Sequence, residues 1–251
     1  MSTVIYTYSN PYKIHLEPYW ASIKNCVHLC ASQTLANGLC DQYTEFYKGK
    51  VSTFAKFINE IFADWESDTC SIEQRANIDN IIDSMDFPVC ANNENSSEFA
   101  RTSLKRNRSQ VYESIRIMCE LGMKPNEIQE TELTNAQKCV VDIFKCINSN
   151  DNQNFRLGQK QIDESSINEA LKVVIENTVS KDDMNKIKTI NKDTVVIHGV
   201  HQFTPIMLRT IELLSRYKLV VLLFNYQPDY KNIYQTWLNV YEHFESKVHI
   251  S

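Results

Sequence analysis

The run from Thr194 to Trp237, TVVIHGVHQFTPIMLRTIELLSRYKLVVLLFNYQPDYKNIYQTW, restricts the fold of this chain more than any other stretch. Thr194-Val195-Val196-Ile197 and Leu219-Val220-Val221-Leu222-Leu223-Phe224 are apolar without alternation. A strand with one wet face alternates and a strand covered on both faces does not, so these runs predict parallel strands buried between helices. Between them Thr204 is placed to cap a helix, and Pro205 stands at its first position, where a missing N–H costs nothing. The unit is therefore βαβ. Ligands of open α/β sheets gather outside the carboxyl ends of the strands, here His198-Gly199-Val200-His201-Gln202 and Asn225-Tyr226-Gln227-Pro228.

The start of the chain reads the same way. Thr3-Val4-Ile5-Tyr6-Thr7-Tyr8 has strand composition and Ser9-Asn10-Pro11-Tyr12 is a turn signal. A short helix is expected around Leu16 to Lys24, a second strand over Cys26 to Ala31, and a helix from about Ser32. Neither this pair of strands nor the late βαβ unit makes a stable sheet alone, so both are expected in one sheet. Between them the apolar residues recur at helical spacing, as in TFAKFINEIFADW, QVYESIRIMCEL and SINEALKVVIENTV. The expected architecture is an α/β core formed by 1–34 and 192–251, a parallel sheet flanked by helices, interrupted by a large all-α insertion over 35–191.

Several function classes are disfavoured. No apolar run approaches the roughly 18 to 20 residues a membrane span requires, so no membrane partner is expected. The eight cysteines accompany no basic-then-apolar leader, and a reducing, cytoplasmic setting follows as the expectation. A net charge of −5 argues against a generally basic coat for nucleic acid, but the sum conceals an asymmetry. Ile58 to Glu98 holds ten acidic side chains and one Arg, whereas Phe99 to Lys124 holds six basic residues against Glu113 and Glu120. Read as one helix from about Glu98 to Leu121, the second piece puts Arg101, Lys105, Arg108 and Arg116 in a single stripe with Tyr112 in its middle. Such a stripe can follow a phosphate backbone and stack on a base. It can equally be a solvated face, or pair with the acidic segment before it.

Nucleotide chemistry has a clear place to be sought. A phosphate-binding loop after the first strand needs glycines and main-chain donors, yet the turn Tyr8-Ser9-Asn10-Pro11-Tyr12-Lys13 has no glycine and a proline. An acidic residue is expected after the βαβ strand to hold the metal, and His198 stands there instead. Ser9, Asn10, Lys13, His198, His201 and Gln202 therefore read as the lining of a degenerate nucleotide cleft. No cofactor is expected, and ATP with Mg²⁺ belongs only to the rival reading of an NTPase with an atypical phosphate site. Cys26, His28 and Cys30 alternate on one strand face with Cys40 nearby in sequence, but without the paired spacing of a zinc site no metal is assigned. No nucleophile motif accompanies His198 and His201, and no catalytic residue is assigned.

The run Ile197-His198-Gly199-Val200-His201-Gln202-Phe203-Thr204-Pro205 resembles the I-D-G-F-x-x-F-T-P signature of AddB-type subunits of bacterial helicase-nuclease complexes, a branch of inactivated superfamily I helicases. The likeness covers about Val195 to Pro205, with a compatible element order in Thr3 to Ser32. It implies a RecA-like core with a helical insertion, DNA as a ligand, and a helicase or nuclease subunit as a partner. His198 replaces the family's Asp and the phosphate loop is missing, so the likeness implies a binding or assembly subunit in DNA end processing, repair or defence against foreign DNA. The chain is expected to be the N-terminal part of a longer protein or a small stand-alone relative. An interaction module built on Tyr226, Tyr230, Tyr234 and Trp237 is the remaining alternative.

Overall fold

The computed structural model describes residues 3–43, 45–46, 50–62, 65, 67–87, 96–149, 155, 157, 162–176, 189–200, 203–225 and 244. The chain divides into two compact units, one of Met1–Ala63 with Lys160–Ser251 and one of Asp64–Gln159. In chain order the elements of the first part are β1 (Thr3–Tyr8), a 3₁₀ helix (Pro11–Leu16), α1 (Trp20–Ile23), β2 (Cys26–Cys30), α2 (Gln33–Gln42), β3 (Val51–Thr53) and α3 (Phe54–Ile61). There follow α4 (Asp68–Ser84), α5 (Ser96–Arg106), α6 (Arg108–Glu120), α7 (Asn135–Ser149), α8 (Glu164–Glu176), β4 (Asn191–His198), α9 (Pro205–Tyr217) and β5 (Leu219–Asn225). None of the described helices is long and apolar enough to cross a membrane.

The first unit is the α/β core, with a RecA-like arrangement of one five-stranded parallel sheet in the order β1-β5-β4-β2-β3. Right-handed crossovers decide where the helices go. Connections running towards β3 place α1 and α2 on one face, where Trp20, Ile23, Ala36 and Leu39 pack on Val196, Val221 and Leu223 of the sheet. Connections returning from β3 towards β1 place α3, α8 and α9 together on the other face. Both faces are covered, which is why the inner residues of β2, β4 and β5 are buried without alternation.

The sequence locates β1, β2, β4 and β5 to within three residues, but β3 falls inside the span read as wholly helical. It is only three residues long, buried throughout, and Thr53 at its end already caps α3 by accepting the Lys56 N–H at 3.3 Å. No period is measurable over three residues. The helical unit, Asp64–Gln159, is accordingly smaller than the expected insertion over 35–191, because α2, β3, α3 and α8 all belong to the sheet-bearing unit. The helix expected over Leu16 to Lys24 is divided between the 3₁₀ helix and α1. Pro205 does occupy the first position of α9 with Thr204 as its N-cap residue, although the Thr204 hydroxyl makes no capping bond.

In the second unit α4, α5, α6 and α7 surround a core that includes Ile82, Leu104, Val111, Ile115, Ile143 and Phe144. The ends of these helices are specified locally. Thr134 and Gln137 form a reciprocal capping box on α7, Thr134 N–H donating to Gln137 Oε1 at 2.9 Å and Gln137 N–H to Thr134 Oγ1 at 3.4 Å. α6 closes in a Schellman motif, with Met123 N–H on the Met118 carbonyl, Gly122 N–H on the Cys119 carbonyl, and Gly122 at φ 67°.

Candidate functional site at the carboxyl edge of the sheet

The connection leaving β2 runs one way along the sheet and the connection leaving β4 runs the other. Their adjacent carboxyl ends therefore form the topological switch point, where a ligand crevice is expected. His198 is the last residue of β4 and lies opposite Cys30, while His28 lies opposite Val196. Both imidazoles point to the same face of the sheet. Their rings meet with His28 Nδ1 2.6 Å from His198 Nε2, and both residues are buried.

One carbonyl fixes the protons of this pair. His28 Nε2 is 3.0 Å from the Ile23 carbonyl, which can only accept, so Nε2 of His28 carries the proton. The neutral ring then presents Nδ1 as an acceptor, and His198 Nε2 must donate to it. Charge is unwelcome here: burial pushes the His198 pKa down to about 3. His28 is held well below the ordinary histidine value by burial first, then by His198 and the Lys50 ammonium. Trp20 and Phe46 close around the His28 ring, with centroids 6.5 and 4.5 Å away.

Beside the pair, the first turn of α2 packs against the residue that follows β4. Gly199 has φ 66°, and a Cβ there would stand 2.6 Å from Leu35 Cδ2. Ser32 caps the same turn by accepting the Leu35 N–H at 3.2 Å.

The other expected cleft residues do not converge on His198. Ser9, Asn10 and Lys13 follow β1, which β5 separates from β4 in the sheet. Ser9 and Lys13 are exposed and Asn10 is half-buried. The turn is a 3₁₀ helix whose Lys13 N–H is bonded to the Asn10 carbonyl at 3.0 Å, so it does not spread its N–H groups into an anion nest. His201 and Gln202 lie outside the described residues, as do Tyr226, Tyr230, Tyr234 and Trp237. Cys26 and Cys30 share the face of His28 as the alternation implies, but burial raises both thiols, Cys30 to about 12, and they stay protonated. No group of three potential metal ligands is assembled among the described residues.

The basic stripe is not formed as expected. Asn107 divides the span into α5 and α6: its N–H makes a last helical bond to the Ser103 carbonyl at 3.1 Å, its Nδ2 competes for the same carbonyl at 2.9 Å, and its backbone leaves the helical region at φ −108°, ψ 21°. On α5, Arg101 closes the end of α4, donating to the carbonyls of Ile82 and Met85, both at 3.1 Å, beside Asp86. Lys105 pairs with Asp83, and Arg108 stands 4.0 Å from Asp79. The acidic segment thus supplies partners to three of the four stripe cations.

The fourth cation is interior. Arg116 is buried, donating to the Trp65 carbonyl at 3.3 Å, Tyr112 Oη at 3.2 Å and Glu120 Oε1 at 3.4 Å, with its guanidinium 4.6 Å from the Trp65 ring centroid. Tyr112 is buried too and donates to Gln74 Oε1 at 3.2 Å. These two residues hold the helical unit together and do not form a solvated stripe with Arg101, Lys105 and Arg108. Trp65 and Gln74 carry no signal of this cluster in the sequence, and the one pointer to it is the i, i+4 spacing of Arg116 and Glu120. Compared with protein-family models, with curated proteins and with solved structures, the chain matches none of them.

Proposed function

We propose that this chain is a non-catalytic, helicase-like scaffold domain that acts in DNA end processing, repair or defence against foreign DNA as a subunit beside an active helicase or nuclease. The observation that carries this reading is the buried, neutral His28–His198 pair at the switch point of a RecA-like sheet. A nucleotide-hydrolysing site needs main-chain donors after β1 and a carboxylate after β4. The turn after β1 has no glycine, and the residue ending β4 is a neutral imidazole bonded to His28, with Leu35 packed on the adjacent Gly199. A neutral imidazole is a poor substitute for a carboxylate towards a hard cation such as Mg²⁺. The likeness of Ile197 to Pro205 to the AddB-type signature supplies the DNA setting.

Thermal melting of the full chain with and without ATP and Mg²⁺ tests the inactive site, since a ligand that binds only the native state raises the Tm. The expected result is no shift, together with salt-sensitive anisotropy of labelled forked DNA. A Mg²⁺-dependent shift with ATP overturns the reading in favour of the NTPase, and absence of DNA binding at low salt removes its DNA part.

A further inference from the structure

The helical unit contains a cavity of about 320 Å³ between α4 and the first turn of α6. Its volume is at the lower end of the range for small-molecule sites. Ile72, Arg75 and Asp79 line it from one stripe of α4, and Arg108, Ser109 and Tyr112 line it from α6. Two guanidiniums therefore face one carboxylate, a local excess of positive charge in a protein of net negative charge.

The donors are largely uncommitted. The Arg75 guanidinium lies 4.7 Å from the Tyr112 ring centroid and makes no hydrogen bond or ion pair among the described residues. A guanidinium lying over a ring is held in orientation while its N–H edges stay available. Arg108 has only the long 4.0 Å contact with Asp79. The first turn of α6 adds to this: it contains no acidic residue, and Asn107 leaves it without a side-chain cap because its amide is turned to the Ser103 carbonyl. The opening N–H groups of a helix have no partner within its ladder, and while Gln110 N–H is taken by the Asn107 carbonyl at 2.9 Å, those of Arg108 and Ser109 remain.

We infer that this cavity binds a phosphate monoester carried on an apolar or planar body, the chemistry of a nucleoside 5′-monophosphate or of a 5′-phosphorylated strand end. Two guanidinium forks, the Ser109 hydroxyl and the α6 N–H groups match the three oxygens of a terminal phosphate better than the two of a carboxylate. Exposed Ile72 supplies apolar surface for the attached body. Asp79 is the counter-charge that the ligand displaces from Arg108. The inference concerns the helical unit alone and does not depend on the scaffold reading of the α/β core.

Binding by the full chain is measured for AMP, adenosine, inorganic phosphate, and one short single strand bearing either a 5′-phosphate or a 5′-hydroxyl. AMP is expected to bind better than adenosine or phosphate alone, or the phosphorylated strand better than its hydroxyl twin. The first result identifies a free nucleotide as the source of the phosphate and the second a strand end, and either supports the site. Arg75→Gln with Arg108→Gln should weaken binding about tenfold or more. Asp79→Asn should tighten it, a gain that damage to the fold cannot produce. Lys105→Gln, whose side chain pairs with Asp83 outside the cavity, should leave it unchanged. Absence of both preferences, with AMP no better than adenosine or inorganic phosphate and the phosphorylated strand no better than its hydroxyl twin, or unchanged affinity in the double variant, overturns the inference.

Discussion

His28 and His198 tie the interior of the sheet to pH. Both are neutral in the fold, His198 down to about pH 3, whereas the unfolded chain protonates its histidines near pH 6.5. Above pH 6.5 neither state binds the extra protons; below it the unfolded state gains them first, so stability falls as pH falls from 6.5 towards 3. The slope is about 1.4 kcal/mol per pH unit for each histidine. His198→Gln keeps an N–H donor for His28 Nδ1 while removing one titrating ring, and should halve this part of the acid slope in urea unfolding followed between pH 7.5 and 5. An unchanged slope would show that His198 takes up its proton in the fold. Arg116 makes a different prediction at the same scale. Arg116→Met leaves Glu120 as a buried carboxylate without its counter-charge, held only by the Trp65 Nε1–H at 3.0 Å, at a cost of about 3 to 5 kcal/mol, and Arg116→Met with Glu120→Met should recover much of it. Chemical denaturation of the single and double variants decides the matter: no recovery means that the many hydrogen bonds of Arg116, and not its charge pairing, carry its contribution.

At the scale of the element, caps and strand lengths separate what was readable from what was not. Ser32 before α2 and Pro205 at the head of α9 act through neighbours in sequence, and both ends are legible for that reason. Asn107 gives only a weak breaker signal, and the apolar spacing of Leu104, Val111 and Ile115 carries straight across it, so the spacing predicts one helix where two stand. β3 had no signal, because three residues running into a helix cannot show a period of two. The junction of β4 with α2 yields a prediction of its own. Gly199→Ala places a Cβ 2.6 Å from the end of the flexible Leu35 side chain, which can rotate away, but it cannot relieve φ 66°. The cost should therefore be about 1 to 2 kcal/mol from the backbone alone. Leu35→Ala should not recover it, whereas Gly199→Asn, tolerant of that region, should cost less than Gly199→Ala. Rescue by Leu35→Ala in thermal melts would instead locate the strain in the contact between α2 and the end of β4.

For the whole molecule, the sheet was legible because covering both of its faces removes polar residues from the strands, a signature that survives in the sequence without any partner being known. The candidate site was less so. Alternation on β2 and β4 places His28 and His198 on one face, yet their meeting depends on the register of two strands far apart in the chain, which no local pattern encodes. The basic stripe departs from expectation for a related reason: a helical wheel gives the direction of a cation but not what stands opposite, and there stand Asp79 and Asp83 of α4 and Asp86 just after it. Because that pairing and the Arg116 cluster are satisfied within Asp64–Gln159, this unit has its own apolar core and its own polar interior. Residues 64–159 made alone should therefore fold. Trp65 is the only tryptophan of that segment and stacks on Arg116, so its fluorescence reports the interior directly. The expected result is a single cooperative melt in which helical circular dichroism and Trp65 emission change at one midpoint, lowered by Arg116→Met. Emission of solvent-exposed tryptophan with no cooperative transition would mean that the helices need the sheet-bearing unit to hold them, and that the insertion is a folding dependant of the α/β core rather than a second folding unit.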